Sequence, residues 1–174
     1  VLDLDNTLWG GVVGDDGMAG LTVGAGSALG EAYLDVQKMA LALRERGIVL
    51  AVASKNDHAV ATEALKEHPE LLIRPNHFAV IQANWSDKTS NLEAIARTLS
   101  IGVDALVFLD DNPAERAQVR AALPAVAVPE LPGDPAWFPW FLASAGYFEA
   151  VSYSAEDRLR ADSYGANARR AEVQ

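Results

Sequence analysis

Two aspartates near the start of the chain have the types and spacing of a reaction centre. Asp3 and Asp5 lie two residues apart at the end of an apolar run, and Asn6 and Thr7 follow them. Because successive side chains of a strand point to opposite faces, the two carboxylates are predicted to share one side while Leu4 faces the other. Such a pair can combine a nucleophile with a general acid and base.

Three more polar groups follow later apolar runs. In chain order they are Ser54–Asn56, Asp87–Lys88 and Asp110–Asn112. Ligands of parallel α/β sheets bind outside the carboxyl ends of the strands, so these groups are expected to converge with Asp3. Each group alone is more typical of a helix cap or a solvated helix face than of a catalytic site, but their joint occurrence in this order favours an active site.

The carboxylates predict a metal site. Asp3, Asp5, Asp110 and Asp111 would form an anionic cluster that like-charge repulsion destabilises unless a cation is present. Mg²⁺ prefers carboxylate and water oxygens, so it is the predicted cofactor and these four aspartates are its predicted ligands. The sequence leaves open which of Asp110 and Asp111 contacts the ion directly.

The same residues predict phosphoryl transfer, with Asp3, Asp5, Ser54 and Lys88 as the catalytic residues. Lys88 and Ser54 are expected to bind the phosphoryl oxygens that the metal leaves free. Asp3 is expected to attack phosphorus and form an aspartyl-phosphate. Asp5 then protonates the leaving oxygen and later deprotonates the hydrolytic water.

The chain that positions these residues alternates between short aliphatic runs and longer amphipathic stretches. This alternation predicts an α/β fold, a doubly wound (Rossmann-like) parallel sheet with helices on both faces. The predicted strands are 1–5, 48–54, 78–82, 105–110 and 125–128. The predicted helices are 31–46, 58–67, 91–99 and 113–123, with a further helix from Ala155 onward.

The segment between the first strand and the first helix is rich in glycine. Within it, Asp16-Gly17 is typical of a tight turn between two short β segments. The sequence therefore predicts a small β-hairpin flap after the first strand.

Composition limits the class of protein. The chain has 174 residues, half of them apolar, with a net charge of -10 that opposes binding to nucleic acid or to anionic membranes. It has no cysteine, which excludes disulfides and thiolate chemistry in these residues and favours a cytoplasmic location. Since it starts inside an apolar run and stops inside a helical pattern, we expect residues 1–174 to be a single catalytic domain from a longer chain.

The polar groups resemble, in order and type, the four motifs of the haloacid dehalogenase (HAD) superfamily, at Asp3 to Thr7, Ser54, Lys88 and Asp110-Asp111. The strings DLDNTLWGGVVGDDG, SKND, FAVIQANWSDKTSNL and VFLDDNPAER are similar to the FkbH-like branch. The resemblance covers nearly the full chain. It implies an enzyme that dephosphorylates 1,3-bisphosphoglycerate and loads the glyceryl unit on the phosphopantetheine thiol of an acyl carrier protein.

The resemblance also implies a pocket for this small phosphorylated substrate. Its candidate binding residues are Thr7, Trp9, Gly10, Gly11, Asn56, Asn112 and Arg116. Trp9, Gly10 and Gly11 are expected in the flap over the substrate, where glycine lets the backbone approach a phosphate closely.

One position departs from the family. Some members have a cysteine just before the serine of the second motif as a candidate glyceryl carrier, whereas this chain has Ala53. Three alternatives stay open: direct transfer to the carrier thiol, transfer through a residue outside this chain, or simple hydrolysis of a small phosphorylated metabolite. A non-catalytic binding module is a further hypothesis, disfavoured because such a module has no need of an acidic metal cluster.

An acidic carrier protein would be repelled by the net charge of the domain, so docking would need a local basic surface. Arg158 and Arg169 lie eleven residues apart in the predicted last helix and hence near one face. The alternative interpretation is a solvated helix whose arginines pair with neighbouring acids.

Overall fold

The computed structural model describes residues 1–149 and 154–171, which form an α/β fold around a small parallel sheet. The helices are α1 (Val13–Asp16), α2 (Ala28–Glu45), α3 (His58–Glu67), α4 (Lys88–Leu99), α5 (Pro113–Ala122), α6 (Phe138–Ser144) and α7 (Ala155–Ala171). The strands are β1 (Leu50–Ser54) and β2 (Phe78–Ala83). Within the described ranges, no helix is long and apolar enough to cross a membrane.

The sheet continues beyond β1 through the first residues of the chain. Leu2 forms a parallel bridge to Val52 on one side and to Leu109 on the other. The Asp3 amide donates a hydrogen bond to the Leu109 carbonyl at 2.9 Å. The segment that carries Asp3 therefore lies between β1 and the segment that ends at Asp110.

The five predicted strands differ in how regular they are. The predicted strands 48–54 and 78–82 correspond to β1 and β2. The other three contribute isolated parallel bridges, which include the pair Val107 and Ala127. Together these contacts place parallel segments side by side, and the doubly wound arrangement of a complete sheet stays a prediction.

Consecutive residues of β1 face two separate hydrophobic clusters. Leu50 and Val52 pack in a cluster with residues of α2 and α3. Ala51 and Ala53 pack in the other cluster with residues of α4 and α5. The described sheet therefore lies between two layers of helix, because both faces of a buried parallel strand are apolar.

The helices begin where side-chain caps place them. The predicted helix 58–67 is α3, and the side chain of Asp57 caps it. Both α2 and α4 begin three residues before their predicted starts, because Ser27 and Asp87 accept hydrogen bonds from amides of the first turn. The cap at Asp87 makes Lys88 the first residue of α4.

The segment after the first strand is not the predicted β-hairpin. Asp16 ends α1, and Gly17, at φ 66°, is its C-cap before a 3-10 turn. In this segment the described residues form a single antiparallel bridge, between Gly10 and Thr22. The prediction of a hairpin turn at Asp16-Gly17 is wrong, because a glycine with a left-handed backbone ends a helix as readily as it turns a hairpin.

The predicted last helix is α7, which packs against β2 and α4. Arg160 pairs with Asp157 inside the helix, and Asp162 pairs with Arg44 of α2. The pair inside the helix agrees with the solvated-helix interpretation for Arg160. The side chain of Arg158 lies outside what the structure describes.

Candidate active site

Lys88 lies at the centre of the candidate site and is 2% exposed. Its Nζ is 2.6 Å from Asp3 Oδ1 and 3.0 Å from Asp110 Oδ2, and it donates to the Ala53 carbonyl at 2.7 Å. The same ammonium lies 5.7 Å from the centroid of the Phe108 ring. The first residue of α4 is therefore fixed at the edge of the sheet by charge and by packing.

Three carboxylates gather at this ammonium. Oxygens of Asp3, Asp110 and Asp111 all lie within 4.8 Å of one another, close enough to hold one metal ion. Among the described residues, Asp110 Oδ2 is at ion-pair distance from Lys88 but accepts no well-oriented hydrogen bond. A buried oxygen with unused acceptor capacity, in an all-oxygen donor set, fits a hard divalent cation.

Burial and repulsion shift the pKa values of these groups. Burial raises the pKa of Asp3, and Lys88 opposes this effect only in part. Burial and the charge of Asp3 raise the pKa of Asp110, and burial and the charge of Asp110 raise that of Asp111. Burial alone would lower the pKa of Lys88, but Asp3 and Asp110 outweigh it and raise the value. One ammonium thus faces three carboxylates, an excess of negative charge that a divalent cation would neutralise.

Asp5 lies outside this acidic cluster. Its Oδ1 accepts hydrogen bonds from Trp9 Nε1 at 2.9 Å and from the Val13 amide at 3.1 Å. Its Oδ2 accepts from Asn56 Nδ2 at 2.7 Å. The structure therefore differs from the expectation that the Asp5 carboxylate ligates the metal, because these donors hold it beside the cluster.

Thr7 and Ser54 connect the polar groups to one another. Thr7 Oγ1 donates to Asp111 Oδ1 at 3.4 Å and accepts from the Asp111 amide at 3.2 Å. Ser54 Oγ accepts from Asn56 Nδ2 at 3.4 Å, and the Ser54 hydroxyl partly offsets the rise in the pKa of Asp3 that burial causes. Both hydroxyls are buried, so they help to fix the polar groups of the site.

The predicted flap residues lie in a tightly packed turn. Trp9 is fully buried. Gly10 has no room for a side chain, since a Cβ there would lie 2.9 Å from Tyr33 Cε2. Gly11 has a φ of 96°, and its amide donates to Asn6 Oδ1 at 3.0 Å. These residues are packed into the turn that follows Asp5, and their role as a flap over the substrate stays a prediction.

Asn112 and Arg116 position the turn that carries Asp110 and Asp111. Arg116 is buried and donates to the carbonyls of both aspartates, at 2.8 Å and 2.7 Å, and to Glu130 at 3.1 Å. The amide of Asn112 donates to Asp110 Oδ1 at 2.9 Å, while its side chain caps α5. In the structure these predicted substrate residues contact the protein chain.

The amide pair of Asn84 and Asn91 was not predicted from the sequence. Asn84 Nδ2 donates to Asn91 Oδ1 at 3.0 Å, and Asn91 Nδ2 donates back to Asn84 Oδ1 at 3.1 Å. The backbone N–H of Asn84 also donates to the Ser54 carbonyl at 3.1 Å. The pair fixes the loop that leads to Lys88. The available signal was the spacing, because Asn91 follows Lys88 by three residues and shares its helix face.

No protein-family model and no curated protein matches this chain. A solved structure that does match is the N-terminal part of the protein BF1531 from Bacteroides fragilis, which contains a phosphatase domain complexed with Mg. It is 47% identical to this chain with a TM-score of 0.85, and the match covers 87% of this chain and 40% of that chain. This chain therefore shares its α/β fold with part of that structure and spans less than half of its length.

Proposed function

We propose that this chain is a Mg²⁺-dependent phosphatase domain of the HAD type that works through an aspartyl-phosphate on Asp3. The observation that carries the proposal is the meeting of Asp3, Asp110 and Asp111 at the buried ammonium of Lys88. The similarity to a structure that contains a phosphatase domain complexed with Mg supports it. In this proposal the parallel segments belong to the doubly wound sheet of that superfamily.

Asp3, Asp110 and Asp111 would hold the Mg²⁺ ion. When bound, the ion supplies positive charge that orients the phosphoryl group and offsets the charge that develops on it. Lys88 and Ser54 donate to the remaining phosphoryl oxygens, and both are already fixed beside Asp3.

The reaction has two displacement steps. An oxygen of Asp3 attacks phosphorus, the bond from phosphorus to the leaving oxygen breaks, and Asp5 gives a proton to that oxygen. Water then attacks the phosphorus of the aspartyl-phosphate and gives a proton to Asp5. The bond between phosphorus and Asp3 breaks, which releases inorganic phosphate and restores the carboxylate.

For the substrate and partner we propose 1,3-bisphosphoglycerate and an acyl carrier protein, supported by the similarity of the motif strings to the FkbH-like branch. The second candidate is simple hydrolysis of a small phosphorylated metabolite. Ala53 favours it, because this residue is fully buried and its position before Ser54 offers no nucleophile to carry a glyceryl group. In both cases the partners do not include nucleic acid or a membrane.

The test combines the protein with 1,3-bisphosphoglycerate, Mg²⁺ and acyl carrier proteins, and follows phosphate release and the intact mass of every protein. We expect phosphate release that stops with a chelator and returns with Mg²⁺. A glyceryl mass on a carrier would support transfer, and phosphate release without it would select hydrolysis. Absence of Mg²⁺-dependent phosphate release from this substrate and from simple phosphate esters would contradict the enzymatic proposal.

A further inference from the structure

We propose that Trp9 and Asn56 are positioning residues that hold the Asp5 carboxylate for proton transfer to the leaving oxygen. The inference rests on the proposed phosphatase function and deepens it. It assigns to these two residues a part in deciding which phosphate esters the site can cleave.

The Asp5 carboxylate is held from both of its oxygens. The indole of Trp9 donates to Oδ1 at 2.9 Å, and the side-chain amide of Asn56 donates to Oδ2 at 2.7 Å. Both donors belong to buried side chains. A close-packed side chain has few accessible rotamers, so these contacts fix the orientation of Asp5 before a substrate arrives.

The donor pattern leaves one acceptor site of the Asp5 carboxylate unused. A carboxylate offers about four lone-pair sites, and an indole N–H and an amide N–H can only donate to them. Trp9 Nε1 and the Val13 amide both donate to Oδ1, whereas Oδ2 receives the single bond from Asn56 among the described residues. Oδ2 is therefore the oxygen that keeps a site for a further partner.

Asn56 also connects the proton donor to the serine beside the nucleophile. Its Nδ2 lies 3.4 Å from Ser54 Oγ, so hydrogen bonds link Trp9, Asp5, Asn56 and Ser54 in turn. Ser54 follows Ala53, whose carbonyl accepts from the same Lys88 ammonium that donates to Asp3. These contacts hold the protonating group at a set distance from the attacking group, and displacement at phosphorus depends on that separation.

The test compares two substrates that differ in their need for a proton. An alkyl phosphate such as glycerol 3-phosphate leaves poorly unless its oxygen is protonated, whereas p-nitrophenyl phosphate releases a stable anion. Because kcat/KM reports the steps up to leaving-group departure, Trp9→Phe and Asn56→Ala should lower kcat/KM for the alkyl phosphate by about tenfold to a hundredfold. The value for p-nitrophenyl phosphate should change far less.

Two control variants separate positioning from general damage. Trp137→Phe makes the same exchange at a side chain that is 55% exposed. Ile73→Val weakens the buried hydrophobic cluster that contains Ile73. Both should keep the parent's ratio of kcat/KM for the two substrates. In a readout independent of activity, Trp9→Phe and Asn56→Ala should keep the rise in Tm that Mg²⁺ produces, because the Asp5 carboxylate lies outside the metal cluster.

The outcomes distinguish this inference from the function on which it rests. Equal losses for both substrates, or no loss for either, in an active parent would overturn the positioning role and leave the phosphatase proposal standing. A Mg²⁺ response lost in the Asn56 variant would also overturn it, since Asn56 would then support the metal site. A parent that hydrolyses neither these two esters nor 1,3-bisphosphoglycerate would overturn both proposals.

Discussion

Lys88 brings one positive charge to a cluster of three carboxylates, and this imbalance governs the chemistry at the scale of single residues. The lysine pairs with Asp3 and Asp110, yet the pKa of each acid stays above its ordinary value because burial outweighs the attraction. A site in this state favours a divalent cation, as the proposed phosphatase function requires.

Asp3→Asn should lower turnover by at least about 10³-fold, because water cannot replace a nucleophile that is built into the site. The fold should persist, since the amide removes one of three crowded charges. Steady-state kinetics and an acid-quenched search for phosphorylated protein measure the effect. An Asp3→Asn protein that still accumulates a phosphoryl adduct would place the nucleophile elsewhere.

Asp110→Asn should raise the Tm of the metal-free protein by a few degrees at neutral pH. The folded-state pKa of Asp110 is raised from 3.8, so this group stabilises the fold at acidic pH and the stability is lost as pH rises through the folded pKa. The side-chain amide of the Asp110→Asn variant never ionises, so the variant keeps the stability that the parent loses as pH rises. The gain should vanish in acid, and scans of Tm against pH in a chelator measure it. A variant less stable than the parent at neutral pH would contradict the prediction.

The alternation of side chains along a strand explains why the sequence predicts Asp5 among the metal ligands. Alternation puts Asp3 and Asp5 on one side of an extended strand. In the structure the chain turns at once, because the amides of Thr7 and Leu8 both donate to the Leu4 carbonyl, at 3.1 Å and 2.8 Å. Local alternation cannot reveal a turn that starts inside the motif, so the gathering of Asp3 with Asp110 and Asp111 could be predicted and the orientation of Asp5 could not.

At the scale of elements, caps decide how much of the fold can be predicted. The helix 58–67 was predicted with its observed bounds from its apolar period, and the Asp57 side chain caps it at the same start. The Asp16-Gly17 pair is typical both of a hairpin turn and of a helix end, and the local sequence does not distinguish the two. Packing of Trp9 and Val13 into the core favours the helical reading.

The end of α4 contains a strained residue. Ser100, the C-cap, has a left-handed backbone at φ 55°. Ser100→Gly should stabilise the protein by about 0.5–1 kcal/mol, because glycine adopts this conformation without a Cβ clash. Ser90→Gly in the first turns of the same helix is the matched exchange and should destabilise by about 1 kcal/mol. Urea unfolding measures both, and a destabilised Ser100→Gly protein would refute the assignment of strain.

At the scale of the whole molecule, metal binding should appear as stability. If Mg²⁺ binds only the folded state, it should raise the free energy of unfolding by about 2.7 kcal/mol when its concentration is a hundredfold above its Kd. Asp110→Asn should lose most of this gain, since it removes a carboxylate from the cluster. Differential scanning calorimetry in Mg²⁺ and in a chelator gives the comparison. A parent whose Tm does not move with saturating Mg²⁺ would speak against the site.

The contact between Gly47 and α7 ties the last helix to the rest of the molecule. A Cβ on Gly47 would lie 1.9 Å from the Asp157 carbonyl, and φ at Gly47 is 90°. Gly47→Ala should therefore displace α7 and destabilise the protein by about 1–3 kcal/mol. Gly146→Ala is the control, because its φ is also positive but its surroundings are open. Hydrogen exchange of the α7 amides should become faster in Gly47→Ala alone. Equally fast exchange in both variants would show that backbone strain explains the effect without the contact to α7.

The ammonium of Lys88 has a consequence for the order in which the working protein is assembled. It is held by Asp3, by Asp110 and by the Ala53 carbonyl, all of which belong to the chain itself. The chain therefore supplies a resident counter-charge, and we expect it to fold before it meets any metal. Metal binding then becomes a late and reversible step. The concentration of the free ion would therefore control the proposed activity without unfolding or new synthesis of the protein.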